Sequence, residues 1–349
     1  QPKRIVTGVA QGVRASCIWP LQQEMTPVGP LSGRGIFVAI IDSGIDYFHP
    51  DFRNADGSSR IAWLFADGKE YSKAQIDQAL AAEDRTSALS LVPVTDPSGH
   101  GTHVAGIAAG NGRASGGRNR GVAYESPLIV VKLGTARSGG FPLTTQLMEA
   151  VEYVKRKSIE ERKPVAINIS FGNNYGSHTG TSLLETYLSQ VANQWKMAVA
   201  IGTGNEGQEA LHQQGRLFAF RQELGIELAV DVYETSVNLQ FWKRYQDVVD
   251  LVLLAPDQSQ VFRFLDSEQG VGEGQIASYV WNNTEIHVFF DAPSPYQIYQ
   301  EIYFAFLPRT DYVDAGVWTI RLLPRRIKDG SYALWLQTGG SLNENTGFL

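Results

Sequence analysis

The run Ile36-Phe37-Val38-Ala39-Ile40-Ile41, closed by Asp42-Ser43-Gly44-Ile45-Asp46, constrains this chain more than any other stretch. A continuous apolar, β-branched segment of strand length reads as a strand buried on both faces of a parallel sheet. A carboxylate at its carboxyl end then lies where open α/β sheets place their sites. A second stretch, Gly99-His100-Gly101-Thr102-His103-Val104-Ala105-Gly106, leaves a polar loop and opens a small-residue helix. Ala105, Gly106, Ala108 and Ala109 offer little bulk, so this helix can pack close to the strand. Histidine titrates nearest neutrality, and His100 is expected to act as a general base once a partner fixes its tautomer; Asp42 is the expected partner.

At 349 residues the chain has room for one large domain or two ordinary ones, and a substantial core. The formal net charge of −6 gives no basic footprint for nucleic acid or anionic lipid, so neither is expected as a partner. Cys17 is the single cysteine, which excludes an intrachain disulfide and predicts a small buried hydrophobe. No run approaches the length of a membrane span. The terminus Gln1-Pro2-Lys3-Arg4 lacks both an initiating Met and the apolar region of a secretion signal, and reads as that of a processed product, an excised piece or an expression product.

Asp42-Ser43-Gly44-Ile45 with His49-Pro50-Asp51, then His100-Gly101-Thr102-His103-Val104-Ala105-Gly106, resemble the first two catalytic blocks of the subtilisin-like serine proteases. Ala198-Val199-Ala200-Ile201-Gly202-Thr203-Gly204-Asn205-Glu206-Gly207 resembles the block that carries the oxyanion-hole Asn of that family. The resemblance implies a serine endopeptidase acting on protein or peptide substrates, with Asp42 as orienting carboxylate, His100 as base and Asn205 as oxyanion donor. It further implies that Ser138 and Gly139 offer backbone groups to an extended substrate while Phe141 lines a distal pocket, and that Ser170, Phe171 and Gly172 border the primary specificity pocket with Gly202, Thr203 and Gly204. No cofactor or metal is implied. In many relatives the loop after the His helix binds calcium, but here it reads Asn111-Gly112-Arg113-Ala114-Ser115-Gly116-Gly117-Arg118-Asn119-Arg120-Gly121, three arginines and no carboxylate, which is poor chemistry for a hard cation.

The segment before Gly35 is rich in Gly, Pro and polar residues and reads as an arm over the domain. A strand is expected over Arg60 to Ala66, a helix from Ser72 to Glu83, a strand over Leu128 to Leu133, a helix from Thr144 to Arg156 with Leu147, Ala150, Val151 and Val154 inward, and a strand from Val165. Gly180-Thr181-Ser182 copies the start of the family's nucleophile motif, yet it precedes Asn205 and lacks the following Ala-x-Pro, so Ser182 reads as a helix cap. His103 is expected to satisfy a buried hydrogen bond, and Asn282-Asn283-Thr284 reads as a turn. Past Gly207 the texture changes to recurrent alternating strands from Ile226 to Gln337, which predicts antiparallel sheets forming a β-sandwich or jelly roll.

The expected architecture is therefore α/β: a subtilisin-like parallel-sheet protease core over residues 1–208, incomplete at its C-terminal end, followed by an inserted antiparallel β-sandwich over 209–349. That arrangement resembles the clostridial spore-germination (Csp-type) subtilases, which are bacterial and in which the propeptide can stay bound after processing. No Gly-Thr-Ser-x-Ala-x-Pro segment occurs, so the nucleophile is expected downstream, the last strands of the core are expected as a missing partner, and the chain alone is expected to be inactive. Two readings stand: an endopeptidase of which this chain supplies base, orienter and oxyanion donor, or a non-catalytic pseudoprotease or binding fragment whose sandwich contacts a partner.

Overall fold

A computed structural model describes residues 9–23, 26–133, 143–170, 172–194, 196–219, 223–265, 276–292, 297–337 and 342–349. The chain divides into two compact units, residues 1–172 with 187–202, and residues 173–186 with 203–349.

The first unit is built on a six-stranded sheet of order β3-β2-β4-β1-β5-β6. Its strands are β1 (Phe37–Asp42), β2 (Ile61–Ala66), β3 (Lys69–Ser72), β4 (Leu128–Lys132), β5 (Val165–Ile169) and β6 (Met197–Ile201). All neighbours run parallel except β3, which pairs antiparallel with β2. β1 lies between β4 and β5, and every one of its residues is buried. Side chains alternate across a strand, so Val38, Ile40 and Asp42 share one face. Val38 and Ile40 belong to a cluster with Ile45, Tyr47, Phe52, Ala105 and Ala109. Asp42 therefore points toward the helix that carries Ala105.

The helices follow local signals. α1 (Val9–Ala15) and α2 (Trp19–Gln22) occupy the segment expected as an arm over the domain, and Val13 is buried. Cys17, expected inside, is exposed in a left-handed turn at φ 56° just after α1. α3 (Lys73–Leu80) starts from a Ser72/Gln75 capping box, and α4 (Arg85–Leu91) from an Asp84 cap that accepts the Ser87 amide at 2.7 Å. α5 (His100–Ala109) lies against β1, and α6 (Thr144–Glu160) against β1, β4 and β5, burying Leu147, Ala150, Val151 and Val154. α7 (Leu183–Ala192) has a Ser182/Glu185 capping box: the Ser182 hydroxyl oxygen accepts the Glu185 amide at 3.2 Å, and the Glu185 carboxylate accepts the Ser182 amide at 2.9 Å. β6 is an edge strand on which Ala198 and Ala200 are exposed and Ile201 is 51% exposed.

The second unit holds two antiparallel sheets. One has the order β11-β10-β15-β8-β17 and the other β12-β13-β14-β9-β16-β7. The strands are β7 (His212–Arg216), β8 (Leu224–Val230), β9 (Val237–Arg244), β10 (Val248–Leu254), β11 (Gln260–Phe264), β12 (Ile276–Trp281), β13 (Thr284–Phe290), β14 (Tyr299–Pro308), β15 (Gly316–Arg326), β16 (Ser331–Leu336) and β17 (Gly347–Phe348). Alternate residues of both sheets, among them Leu239, Phe241, Leu251, Leu253, Phe304, Phe306, Trp318 and Ile320, fill one apolar cluster. Phe306 and Trp318 meet edge to face across it, with centroids 5.2 Å apart. Asn282-Asn283 is the tight turn between β12 and β13, and Thr284 beside it is fully buried, its hydroxyl donating to Asp314 Oδ2 at 2.7 Å.

The outer face of the second sheet carries a polar row that the segment 173–186 contacts. The Tyr175 ring meets Tyr303 at 6.3 Å, the Gly176 amide donates to Gln240 Oε1 at 2.9 Å, and the His178 ring stacks on Trp335 at 3.8 Å, whose other side takes His212 at 3.7 Å. Glu301 accepts from Gln240 Nε2 in this row. Burial pushes its carboxyl up to about 7, against the Gln240 bond and with help from Asp291. A carboxyl raised in the folded state lends its stability in full below the ordinary carboxylate range, and that stability is lost as pH rises through about 7. Wild type is therefore expected to lose about 2–3 kcal/mol relative to Glu301→Gln between pH 5 and pH 8.5, read from urea unfolding of both proteins. A difference that stays constant over that range would remove Glu301 as its source.

Candidate active site

The site grows from the meeting of the β1 carboxyl end with the amino end of α5. His100 Nδ1 lies 2.7 Å from Asp42 Oδ1. The carboxylate is 3% exposed and the imidazole 52%, so a buried acid faces a ring that still reaches solvent. Asp42 Oδ1 also accepts the Ser43 amide at 2.7 Å and lies 3.1 Å from the Ser43 hydroxyl, while Oδ2 is buried with no hydrogen-bond partner among the described residues. Because the carboxylate can only accept, the neutral imidazole carries its proton on Nδ1 and presents a basic lone pair at Nε2.

Two glycines permit this approach. A Cβ on Gly101 would sit 2.3 Å from the Gly44 carbonyl oxygen and 3.1 Å from Asp42 Cβ. A Cβ on Gly44, whose φ is +131°, would sit 2.5 Å from the Thr95 carbonyl oxygen.

The first three amides of α5 have no partner within the helix, and each is taken by a side chain. The His100 amide donates to Ser98 Oγ at 3.2 Å, the Gly101 amide to Ser43 Oγ at 3.0 Å, and the Thr102 amide to Asp96 Oδ2 at 2.8 Å. Asp96 also accepts from the Thr102 hydroxyl at 2.7 Å, the Ser43 hydroxyl at 2.8 Å, the Ser98 hydroxyl at 3.1 Å and the Gly99 amide at 3.1 Å. Burial works against its charge, but the Thr102 hydroxyl and amide and the Ser43 and Ser98 hydroxyls outweigh it and hold its pKa below the ordinary carboxylate value. Asp96 and Ser98 escape a reading of the sequence, where Thr95-Asp96-Pro97-Ser98-Gly99 has the composition of any turn. The available signal is an oxygen-bearing side chain just ahead of a helix start.

His103 does not satisfy a buried hydrogen bond; its side of α5 faces outward and it is exposed. With His49, Asp51, Phe52, Thr102 and Ile107 it lines a cavity of about 430 Å³. In the arginine-rich loop, Arg113 Nη1 donates to the carbonyl oxygens of Arg53 and Asn54, and the Ala114 amide donates to Asp51 Oδ1 at 2.8 Å. Among the described residues no group of three or more His, Cys, Asp or Glu side chains is placed to hold a metal ion. No described helix is long and apolar enough to cross a membrane.

The remaining expected site residues lie as follows. Ser170 directly follows β5 and its hydroxyl accepts from Asn168 Nδ2 at 2.9 Å; Gly172 is exposed. The Gly202 amide extends the pairing of β6 by donating to the Ile169 carbonyl at 2.9 Å. Thr203, Gly204 and Asn205 are exposed residues of the second unit, and the Asn205 amide donates to Glu206 Oε2 at 2.7 Å with Gly204 at φ +94°. Ser138, Gly139, Phe141 and Phe171 lie outside the described residues.

Comparison with known proteins gives the same direction. Residues 33–249 match the model of the subtilase family. The chain is 27% identical over 198 residues to the major intracellular serine protease of Bacillus subtilis, covering 56% of this chain and 51% of that protein. It is 29% identical over 177 residues to the subtilisin of Bacillus pumilus, covering 50% of each. The chain thus spans about half the length of these curated relatives. Among solved structures, the Clostridium perfringens CspB protease superposes with a TM-score of 0.82 at 33% identity, over 97% of this chain and 67% of that one.

The close approach at Gly101 makes a direct test. Gly101→Ala is expected to destabilise the protein by about 1–3 kcal/mol through overpacking, whereas Gly106→Ala, whose Cβ would meet nothing within 4 Å, gains about 0.5–1 kcal/mol of helix propensity. Thermal unfolding of the two variants checks the contrast; equal effects would mean that the glycine contact does not set the spacing.

Proposed function

This chain belongs to the subtilase family, and from that premise we propose that the protein is a serine endopeptidase in which Asp42 and His100 are the orienting carboxylate and the general base. The observation that carries the reading is the 2.7 Å contact between His100 Nδ1 and a nearly inaccessible Asp42 carboxylate at the mouth of a parallel sheet.

In the reaction a serine hydroxyl attacks the peptide carbonyl as His100 Nε2 takes its proton. Asp42 holds the ring and stabilises the imidazolium, which then protonates the leaving amine. Asn205 donates its side-chain amide to the developing oxyanion, and loss of such a donor costs about 2.7–4 kcal/mol of transition-state stabilisation. Ser170, Phe171, Gly172, Gly202, Thr203 and Gly204 border the primary pocket. Ser138 and Gly139 offer backbone groups to the acyl side of the substrate, with Phe141 further out. A peptide bound as an added strand is gripped by its backbone and selected by its side chains.

The nucleophile is proposed to come from residues beyond these 349, since Ser182 serves as a helix cap and no Gly-Thr-Ser-x-Ala-x-Pro segment occurs among them. The exposed edge strand β6, with Ala198, Ala200 and Ile201 uncovered, supports this by offering a parallel edge to further strands. On this reading residues 1–208 are the amino-terminal part of the protease core and the paired antiparallel sheets a jelly roll inserted over 209–349, ahead of the nucleophile. The likeness to the CspB protease favours this architecture and a role in spore germination, with the propeptide as an additional bound partner.

The gene product carried through its downstream residues is expected to take up a fluorophosphonate label on a serine beyond residue 349, whereas the 349-residue chain takes up none. Its peptidase kcat is expected to fall about 10⁴-fold in Asp42→Asn and by at least as much in His100→Ala. A longer product that neither labels nor cleaves would transfer the protein to the non-catalytic, partner-binding reading, and one that labels and cleaves indifferently to both substitutions would remove Asp42 and His100 from the reaction.

A further inference from the structure

We propose that Asp96 is the positioning residue of the Asp42–His100 couple, acting through the Ser43 hydroxyl and the first turn of α5; this rests on the protease reading of that couple. Three pieces of chain that diverge in sequence converge on its carboxylate. Ser43 comes from the end of β1 at 2.8 Å, Ser98 and Gly99 from the turn before α5 at 3.1 Å each, and Thr102 from α5 itself through its amide at 2.8 Å and its hydroxyl at 2.7 Å. Thr102 Oγ1 then accepts the Asp46 amide at 2.9 Å, which closes the ring back onto the β1 loop. The segments that hold Asp42 and His100 are thereby fastened to one acidic side chain.

Proton counting shows why the fastening reaches the reacting groups. Ser43 Oγ accepts the Gly101 amide at 3.0 Å and lies within reach of two carboxylates, Asp96 Oδ1 at 2.8 Å and Asp42 Oδ1 at 3.1 Å, but has one proton to give. Ser98 Oγ stands 2.9 Å from Ser43 Oγ and 3.1 Å from Asp96 Oδ1. When the Ser98 proton goes to Asp96, Ser43 can turn its own to Asp42; when Ser98 donates to Ser43, the Ser43 proton can answer either acid. Asp96 thus sets how many donors Asp42 Oδ1 receives besides the imidazole, and whether the half-exposed ring of His100 keeps one orientation. An acid at this place also gains from the positive end of α5, a helix of ten residues.

The couple can be observed in the 349-residue chain without a nucleophile, through the low-field proton resonance of an imidazole Nδ1–H held by a carboxylate. Wild type is expected to show one such resonance that Asp42→Asn removes. Asp96→Asn, which keeps the shape and removes the charge, is expected to speed its exchange with water at least tenfold or broaden it away. Ser98→Ala, which deletes one link of the ring, is expected to speed exchange about two- to fivefold and gives the answer should Asp96→Asn fail to fold. A resonance present in wild type and unchanged in position and exchange in the folded variants would leave Asp96 a helix cap and overturn the inference. Absence of the resonance from wild type would overturn the inference together with the couple on which it rests. A resonance sensitive to Asp96→Asn, in a protein whose longer product neither labels nor cleaves, would support the positioning role and refute the protease reading.

Discussion

Three backbone amides at the start of α5 govern the rest of the site. A helix must find acceptors for its first N–H groups, and here they are Ser98, Ser43 and Asp96, side chains that belong to the strand end and the turn beside Asp42. Capping the helix and presenting the His100 ring to Asp42 are consequently one act. Had these amides been met by water or by a more local cap, only apolar packing would set α5 against β1, and the 2.7 Å contact between His100 and Asp42 would depend on a single hydrogen bond to a ring half in solvent. The small residues make the same arrangement sterically feasible. Gly101 passes so near the Gly44 carbonyl that no side chain fits, and Ala105 and Ala109 bring the following turns into the cluster around Val38 and Ile40.

The sheet contributes direction. β1 is covered on both faces, and the parity of its side chains alone puts Asp42 on the side of Val38 and Ile40, where α5 packs. Its burial strengthens both contacts, since a carboxylate that takes the Ser43 amide and the His100 ring in a low-dielectric setting is held more firmly than one in water. Carboxylate, helix start and capping side chains all lie in the first unit, so the geometry of the Asp42–His100 pair is set by one compact body.

Much of this was legible in the residues. An apolar run ending in Asp announced a buried strand with an acid at its mouth, and the alternating segments after Gly207 announced antiparallel sheets, because periodicity and burial are directly linked. What escaped notice depends on contacts between distant residues or on competition among turns. Asp96 sits in a turn whose composition says nothing of five donors arriving from three segments. His103 shares a helix with His100 yet faces outward, so membership of a motif does not foretell burial. Cys17 is small and apolar by type, but it falls in a left-handed turn just after a short helix and is exposed there. β7, His212-Gln213-Gln214-Gly215-Arg216, has no apolar alternation and becomes a strand only because β16 offers it an edge.

The segment between β5 and α7 shows the same principle at longer range. It reads as a polar connection carrying a decoy Gly-Thr-Ser, and its Ser182 serves as the cap of α7. Its first residues pair with groups more than sixty positions onward: Gly176 with Gln240, Tyr175 with Tyr303 and His178 with Trp335. Two stacked or edge-on ring contacts of about 0.5–1.5 kcal/mol each, with one hydrogen bond to the buried Gln240 side chain, fasten this excursion to the sheet at three points. The chain therefore passes from the first unit to the second and back before it finally departs after Gly202. The order of that excursion is therefore a property of the second unit's own sheet, where Glu301 and Gln240 share the row on which the segment rests.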